Sequence, residues 1–578
     1  MAVSIFYDGD CPFCARYVRF LKLQETAGPV GLIDVRTDNC SREELQQQGF
    51  NLDEGMVVEL DGQRLGGADA VNTLALLSTP VGLFNRLNRL LLSSVLLSRV
   101  LYPALRAGRW LTLFLLNREG FAPKDEGISA KGQIFSQFFA LFSLFHFFNY
   151  ALEYGRFPPG YDQIALFLSA LALLFRPRSA RLLWLLMLTS TISTFIQAPV
   201  QSNHTMMRSA LLLGYWLAFT VTWLQGSNWQ DIFRRFVPVG QGALLVMYFF
   251  GIFHKLNTDF LNPVTSCAVA LWQHMPIPLS LLQGAAIDYT TIYGTFVAEG
   301  ILIAMLLTRR LRYLGICGGI LFHMLLAMSN YAMYITFTVL TIAMHSLFID
   351  RGAAENMVRS KEMTVIRSRL KDPVYILALC ILMVLLALAA LRGAYSTVTL
   401  LMLPVVLPFC WVVFRYGRAP EAQIKTPALS ANKTVGLVTS LLLVANCMMP
   451  YLGLKTSQAI NMFANLRLEA GTSNHLIMPA PGPYDYLEKV AIIEDGGQDS
   501  VLQSYAENGY AIIYYDLLAR LEEDPDNQVT FTIDDRQFED VSSQDLNAEI
   551  ASTLHPRWFR KFFHFQPVVL TEPEHCNV

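Results

Sequence analysis

Long apolar stretches recur through the middle of the chain and dominate its pattern of hydrophobic and polar positions. Eleven are of spanning or near-spanning length, at about 134–152, 163–175, 181–198, 209–224, 238–256, 290–307, 311–328, 331–349, 374–392, 397–414 and 435–453. A membrane-spanning helix needs roughly 20 apolar residues. We therefore predict a mostly α-helical, polytopic membrane protein with about eleven transmembrane helices. An N-terminal α/β domain precedes them and a small C-terminal α+β domain follows.

Composition supports the membrane assignment. Of the 578 residues, 53% are apolar and only 16% are charged, against about 25% charged in ordinary soluble proteins. These values exclude a soluble, disordered or disulfide-stapled chain. The net charge of −2 gives no sign of nucleic-acid binding.

Charge divides the chain into parts. Residues 134–454 carry 22 Lys and Arg and 11 Asp and Glu, whereas residues 455–578 carry 8 bases and 20 acids. We predict a head at 1–118, a linker at 119–133, a helical body at 134–454 and an acidic tail at 455–578. The first residues have neither a basic region nor an apolar run of signal-peptide length, so we expect no cleaved signal.

The distribution of Lys and Arg between the predicted spans gives an orientation. Loops after even-numbered spans carry 18 of them and loops after odd-numbered spans carry three. Because cytoplasmic loops are enriched in Lys and Arg, we predict that the head is cytosolic and the tail extracytoplasmic. The expected location is a bacterial inner membrane.

A cysteine pair follows the first strand. Val3–Tyr7 is predicted as a short buried strand, and Asp8-Gly9-Asp10-Cys11-Pro12-Phe13-Cys14 leads into a helical pattern. Cys11 is expected at the helix N-terminus with access to solvent, where free N–H groups and the helix dipole favour the thiolate. Cys14, one turn away, can close a reversible disulfide with it.

The remaining pattern of the head follows the thioredoxin order. VGLIDV predicts a second strand, and MVVEL-DG-QRLGG predicts a hairpin with an Asp61-Gly62 turn. GGADAVNTLALL predicts another helix.

These residues resemble the DCC family of thiol–disulfide oxidoreductases over about residues 2–118. The family signature, an aspartate three residues before a CxxC, is matched by Asp8, Cys11 and Cys14, and Gly67–Ala70 matches a later GADA motif. The resemblance implies that Cys11 is the attacking thiol, Cys14 the resolving thiol and Asp8 a possible proton acceptor. The chain departs from ordinary thioredoxins because no proline precedes the Met56 strand.

Other interpretations of the head stay open. A structural zinc site would need about four ligands, and only Cys40 could join the pair, so we predict no metal. A redox-inactive scaffold or an interaction module is also compatible with the pattern. Residues 70–118 contain six arginines and no acid, which favours helices lying on an anionic leaflet over a solvated face. The other cysteines are expected to be small hydrophobes rather than a disulfide framework.

Ionisable side chains inside spans are costly and therefore mark candidate sites. In the predicted topology His146, His254, Lys255, Glu299 and His323 all lie toward the outer side. We infer a polar cavity that opens outward. For a single histidine the alternative is a hydrogen-bonded packing residue, and a lysine at a span end can instead extend into the outer headgroups. His345, near the inner end of its span, is the exception.

Tyr248–Pro263, YFFGIFHKLNTDFLNP, resembles the HTTM family, the membrane domain of vitamin K-dependent γ-carboxylases. The resemblance covers about residues 134–460. It implies that Lys255 is a base toward reduced vitamin K or a similar quinone at a lumen-facing site. His254 stands where the animal enzymes tend to have a second lysine. The tail lacks their large luminal regions, so γ-carboxylation does not transfer safely.

The tail is predicted to contain a helix or strand–helix in NGYAIIYYDLLARL and strands in QVTFTIDD and FQPVVL. The segment at 462–479, which contains His475, is expected to cap the outward cavity.

Together these patterns predict a membrane-embedded oxidoreductase. Its catalytic residues are Cys11, Cys14, Asp8 and Lys255, and a quinone or other lipid-like substrate contacts His254, Glu299, His323 and His146. Its partners are a cytosolic thiol and a membrane lipid or quinone. The alternative is a proton-coupled transporter or lipid-binding protein in which the CxxC head acts as a redox regulator.

Overall fold

The structure is a computed structural model. It describes residues 3–20, 29–48, 50, 52, 55–79, 81–95, 97–98, 101–102, 105, 108–109, 112–113, 128–153, 159–198, 202–225, 229–330, 334–369, 372–417, 431–570 and 576. Internal contacts divide the chain into two compact units. One comprises Met1–Gly127 with Phe219–Asp231, and the other comprises Ile128–Ala218 with Ile232–Val578.

The head is an α/β domain in the predicted thioredoxin order. Its elements are β1 (Val3–Tyr7), α1 (Pro12–Phe20), β2 (Val30–Asp34), α2 (Asn39–Gln47), β3 (Val57–Leu60), β4 (Gln63–Gly66), α3 (Gly67–Leu77) and α4 (Leu83–Leu92). The strand order is β2-β1-β3-β4. Strand β1 runs parallel to β2 and antiparallel to β3. The first strand therefore lies at the centre of the sheet, and Cys11 and Cys14 follow its carboxyl end.

Local sequence explains the hairpin of this sheet. Asp61 and Gly62 form the two-residue turn between β3 and β4, with φ angles of 48° and 83°. Both angles are positive, as a turn that matches the twist of its strands requires, and Asp-Gly tolerates them best. Alternate residues of β1, Val3 and Ile5, are buried against Val58 of β3.

Each of the eleven apolar stretches coincides with a helix in the helical body. These helices are α5 (Ala130–Glu153), α6 (Tyr161–Phe175), α7 (Ala180–Gln197), α8 (Asn203–Leu224), α9 (Trp229–His254), α12 (Ala285–Leu307), α13 (Arg312–Ala327), α14 (Ile335–Ser346), α17 (Pro373–Leu391), α18 (Tyr395–Tyr416) and α19 (Ala431–Met448). Shorter helices lie between them: α10 (Thr258–Leu261), α11 (Cys267–Gln273), α15 (Arg351–Arg359) and α16 (Lys361–Arg369).

Five helices among the described residues are long and apolar enough to cross a membrane. They are Ala180–Gln197, Asp231–His254, Ala285–Leu307, Tyr395–Tyr416 and Lys433–Leu452, and three further apolar helices are shorter. Eleven crossings stay a prediction.

The tail is a small α+β domain. Its elements are β5 (Val490–Asp495), α20 (Ser500–Asn508), β6 (Ala511–Ile513), α21 (Tyr514–Glu523), β7 (Val529–Ile533), β8 (Arg536–Val541), α22 (Asn547–Thr553) and α23 (Arg557–Arg560). The sheet has the order β6-β5-β7-β8 and is antiparallel throughout. The predicted strand–helix and the VTFTI strand are confirmed. FQPVVL is not a regular strand, because it pairs only through Val568 with Ala511.

One expectation about the cysteines is wrong. Cys267 and Cys576 form a disulfide, although both were expected to be isolated. Cys267 does not lie inside a long apolar helix; it begins the short helix α11 in the loop after α9, where the chain end reaches it. The bond therefore ties the end of the tail to this loop.

Candidate functional site

The dithiol of the head lies where the loop after β1 leads into α1. Cys11 immediately precedes α1 and Cys14 occupies its first turn. The loop before them packs against the end of β2, where the Gly9 N–H donates to Asp34 Oδ1 at 3.0 Å. A Cβ atom at Gly9 would collide with the Asp34 carboxylate, so glycine allows this close approach.

The two thiols differ in their electrostatics. The Cys14 backbone N–H donates to Cys11 Sγ at 3.2 Å. Hydrogen bonds from the Cys14 thiol and N–H lower the pKa of Cys11 to about 7, although burial opposes ionisation. The same thiol–thiol hydrogen bond, together with burial, raises the pKa of Cys14. Cys11 is therefore the more readily ionised thiol of the pair near neutral pH.

Asp8 is held as a carboxylate by two arginines. Arg36 donates to both of its oxygens at 2.8 and 3.2 Å, and Arg109 donates to Oδ2 at 2.7 Å. Burial opposes ionisation of Asp8, but these hydrogen bonds and charges outweigh it and keep its pKa below the usual range. Such a carboxylate is a weak proton acceptor, and the geometry instead gives it a positioning role. It fixes Arg109, whose positive charge favours the Cys11 thiolate.

The expectation that Cys11 reaches solvent is wrong. Cys11 is completely buried and Cys14 is 7% exposed, and Leu113 packs against both. Arg109, four positions before Leu113 in the sequence, is buried at Asp8 rather than displayed on a basic surface. Of the other arginines predicted for a leaflet-binding face, Arg86 and Arg89 lie on α4, while the rest fall outside the described residues.

Among the described residues, no three His, Cys, Asp or Glu side chains converge as metal ligands. Cys40, the residue considered as a third zinc ligand, is an exposed thiol on α2.

The helical body contains a second candidate site, a cavity of about 340 Å³. Its walls come from the six helices α9 to α14 and the segment that follows α19. Most of the lining is aromatic or aliphatic; the lining side chains that can form hydrogen bonds are Tyr248, Lys255, Trp272, Thr290, Thr291, Thr295, Glu299, His323 and Tyr334. An apolar cavity with a few convergent polar groups is the usual form of a small-molecule site.

A buried ion pair forms one wall of this cavity. Lys255 Nζ donates to Glu299 Oε1 at 2.7 Å, and the two side chains are 12% and 8% exposed. Lys255 therefore points inward rather than toward the outer headgroups. The second carboxylate oxygen, Glu299 Oε2, is buried and has no hydrogen-bond partner among the described residues.

A chain of hydrogen bonds continues inward from the cavity. His323 Nε2 and His345 Nε2 each lie 3.1 Å from the hydroxyl of Tyr248. The Thr341 carbonyl can only accept, so His345 Nδ1 donates to it at 2.7 Å. Tyr248 must then donate to His345 and accept from His323. His345, the exception in the sequence, is thus linked to the cavity, and Gly319 makes room for its ring.

Residues 456–475 form the roof of the cavity. Ile460, Met462 and Phe463 line the cavity from this segment, in agreement with the predicted cap. The φ angles of Ile460 and Phe463 are 65° and 60°, a costly region for side chains of this kind. Strained backbone persists where surrounding contacts over-determine it and is typical of functional sites.

Asparagine side chains hold the roof against the end of α9. Asn257 Nδ2 donates to the carbonyls of His254 at 2.8 Å and Ala464 at 2.6 Å. Asn465 Oδ1 accepts from the Cys267 N–H at 2.8 Å, and Asn474 Nδ2 donates to Asp259 Oδ2 at 3.0 Å. These bonds fix the strained segment above Lys255.

The structure does not bring every predicted ligand-binding residue to the cavity. His254 is fully buried, with Nδ1 2.8 Å from the Tyr451 hydroxyl and Nε2 2.9 Å from the Ala459 carbonyl, so its ring links the roof to the segment just before it and does not line the cavity.

His146 belongs to a separate buried cluster. Its ring nitrogens lie 3.1 Å from His204 Nε2 and 3.1 Å from Gln197 Oε1. Arg208 also reaches Gln197 Oε1, at 3.4 Å. His146 is therefore placed away from Lys255, and only Glu299 and His323 of the predicted set join that lysine.

Some site residues were missed from the sequence. Tyr248 and Gly251 of α9 and Lys255, the residue just after it, follow helical spacing, which could have identified Tyr248. Arg36 and Arg109 carry no local signal, since their role depends on contacts with Asp8 from distant parts of the chain.

Comparison with known proteins supports the assignment of the head. Residues 5–113 match the family model for DCC1-like thiol-disulfide oxidoreductases. The HTTM resemblance of the helical body is not supported by a family match. No curated protein and no solved structure is detectably similar to the chain.

The cover over the dithiol should control its reactivity. Truncating Leu113 to alanine should speed alkylation of Cys11 by about tenfold, since full burial of a leucine contributes roughly 1.5–3 kcal/mol. The alkylation rate of Cys11 should rise as the pH passes its pKa of about 7, because the thiolate fraction grows there. Mass spectrometry of alkylated peptides measures both effects.

Cys40 provides an internal control, since it is exposed and its rate should not respond to Leu113→Ala. Equal rates for Cys11 in the variant and the original chain would contradict the role of Leu113 as a cover.

Proposed function

We propose that the chain is a membrane-embedded oxidoreductase with two sites. A cytosolic thiol–disulfide domain is joined to a helical body that spans the membrane and binds a quinone or similar lipid-like molecule, with Lys255 as base. The observation that carries this proposal is the Lys255–Glu299 ion pair in the wall of a mostly apolar cavity. A charged pair is costly in such surroundings, so its presence favours a chemical role.

The chemistry of the head follows from its thiols. The Cys11 thiolate attacks a partner disulfide and forms a mixed disulfide, and Cys14 then displaces the partner thiol to leave an intramolecular disulfide. Two electrons pass from the dithiol to the partner, and the released thiolate takes up a proton. The lowered pKa of Cys11 and the family match of residues 5–113 support this reaction.

The chemistry of the cavity depends on the proton shared by Lys255 and Glu299. At 2.7 Å the proton can move from Nζ to Oε1, which leaves a neutral amine beside a neutral carboxyl. In a low-dielectric cavity the neutral pair avoids the desolvation cost of two charges. The neutral amine can then accept a proton from the hydroxyl of a bound hydroquinone.

The geometry of the cavity suits an aromatic ligand. Phe260, Phe322, Phe337 and Phe463 line the walls, and planar rings pack well against such side chains. The resemblance of Tyr248–Pro263 to vitamin K-dependent γ-carboxylases points to the same class of ligand. Reduced vitamin K or a related quinol is therefore the proposed cofactor or substrate.

Two observations support an outward-facing cavity. The ratio of 18 to three Lys and Arg favours an extracytoplasmic position for the loop after α9. The Cys267–Cys576 disulfide lies in that loop, and disulfides persist mainly in oxidising, extracytoplasmic compartments. The tail, joined through Cys576, is then extracytoplasmic and the head cytosolic.

A proton-coupled transporter is the second candidate, and one observation favours it. The hydrogen bonds from His323 through Tyr248 to His345 extend the polar groups of the cavity toward the proposed cytosolic side of the membrane. Proton uptake by sealed vesicles containing the protein, without any change in added quinol, would favour transport.

Replacing Lys255 with arginine tests its role as base. Arginine keeps the positive charge and can pair with Glu299, but it does not release its proton near neutral pH. The protein-dependent oxidation of an added short-chain naphthohydroquinone by oxygen should fall by at least about 100-fold, as loss of a general base implies. The reaction is followed by quinone absorbance in purified protein.

Lys433→Arg is the matched control, because Lys433 is an exposed residue at the start of α19 and its substitution should leave the rate unchanged. Full turnover by a folded Lys255→Arg protein would remove Lys255 from the chemistry.

Cysteine labelling tests the orientation. The seven cysteines other than Cys267 and Cys576, out of nine, are first replaced by serine. We expect Tyr161→Cys and Gln544→Cys to react with an impermeant maleimide in intact cells, and Asn356→Cys to react only after permeabilisation. All three positions are exposed, so accessibility alone does not decide the result. The reverse pattern would invert the proposed topology.

A further inference from the structure

An aromatic and basic segment stands out in the acidic tail. Residues 557–562, RWFRKF, contain three of the eight bases found in residues 455–578. Trp558 and Phe562 are 69% and 59% exposed, and the helix α23 carries most of the segment. Large aromatic side chains exposed together on a protein surface usually mark an interaction site.

This surface is built on a fixed support. Arg560 is buried and pairs with Glu522 of α21. Phe563 packs against Tyr486 and Tyr515 in the core of the tail. The segment is therefore anchored from behind, which leaves Trp558 and Phe562 directed outward.

Contacts place this segment at the end of a long apolar helix. Lys561 Nζ donates to the Phe195 carbonyl at 2.9 Å, two residues before the end of α7. Ile192, Phe195 and Ile196 at this helix end are themselves exposed apolar residues. The exposed aromatic residues of this segment thus lie next to the exposed apolar residues at the end of α7.

A second loop makes an equivalent contact. His475 Nε2 lies 2.9 Å from the Phe253 carbonyl, at the end of α9. The next two residues, Leu476 and Ile477, are 56% and 66% exposed. Helices α7 and α9 are the third and fifth predicted spans, so both end on the same side of the proposed membrane.

We propose that residues 557–562 together with Leu476 and Ile477 form a surface that lies in the headgroup region of the outer leaflet and binds anionic phospholipid. This proposal rests on the proposed function, in which the helical body spans the membrane and the tail is outside. Tryptophan favours the boundary between headgroups and acyl chains. Arg557 lies 3.4 Å from Glu522 through Nε and Lys561 binds the Phe195 carbonyl, but each has further N–H groups that can donate to phosphate.

Charge favours phospholipid over other occupants. The tail carries 20 acids against 8 bases, so most of its surface is repelled by an anionic leaflet. The basic segment is the part that such a leaflet attracts. Docking there fixes the tail, and with it the roof over Lys255, relative to the bilayer.

Tryptophan quenching tests the surface in the full-length protein. The protein is reconstituted in nanodiscs whose phospholipids are brominated near the headgroup end of their acyl chains, with phosphatidylglycerol or phosphatidylcholine as the brominated lipid. The chain has eight tryptophans. Trp558→Phe should lower the quenched emission by about the share of one tryptophan, and more strongly with brominated phosphatidylglycerol.

Trp411→Phe is the matched control, because Trp411 is 60% exposed on α18 and reports contact of the helical body with lipid. A decrease for Trp411→Phe but none for Trp558→Phe would overturn the surface while leaving the membrane-spanning body intact. Equal quenching of Trp558 by both brominated lipids would overturn the preference for anionic headgroups. No decrease for either variant would contradict the proposed membrane location itself.

Discussion

The ion pair between Lys255 and Glu299 is the constraint on which the rest of the helical body depends. Two charges in an apolar cavity are tolerated only with close geometry and supporting contacts, and loss of one partner from such a pair typically costs about 3–5 kcal/mol. The close geometry is present: the atoms are 2.7 Å apart, and α12 supplies Glu299 against the end of α9. Helix α9 must therefore end at a defined residue, and another segment must cover the cavity beside Lys255.

The asparagine-rich roof meets that requirement. Asn257 ends the turn after α9 and binds the carbonyl of Ala464, while His254 binds the carbonyl of Ala459. These bonds hold residues with left-handed backbone, such as Ile460, directly over the cavity. The tail is thus part of the candidate site rather than a separate appendage, and its disulfide to Cys267 reinforces the same loop. In the head, too, a reactive pair is covered by a residue from a distant part of the chain: Leu113 covers the dithiol beside the Asp8–Arg109 ion pair.

Local patterns predicted the elements, but side-chain partners depended on distant contacts. Apolar periodicity located all eleven long helices, and the Asp61-Gly62 turn fixed the hairpin of the head. The sequence could predict Lys255 and Glu299 near the same side of the membrane, because the position of a residue within a predicted span gives its depth in the bilayer. The sequence could not show that His254 binds Tyr451 and the Ala459 carbonyl, nor that Arg109 pairs with Asp8 across 101 positions. Such pairings arise only when separate elements pack, so no local spacing encodes them.

Identification of bound lipid tests the central claim, that the cavity beside Lys255 holds a quinone-like molecule. Gly294 lines this cavity and a Cβ there meets no atom within 4 Å, the ion pair included, so Gly294→Leu would fill space in the cavity. Gly300 on the same helix is equally open but does not line the cavity, which makes Gly300→Leu the control. Mass spectrometry of lipid extracted from the purified proteins should find a quinone with the original chain and Gly300→Leu, and little with Gly294→Leu. Equal quinone in all three, or none in any, would contradict the account.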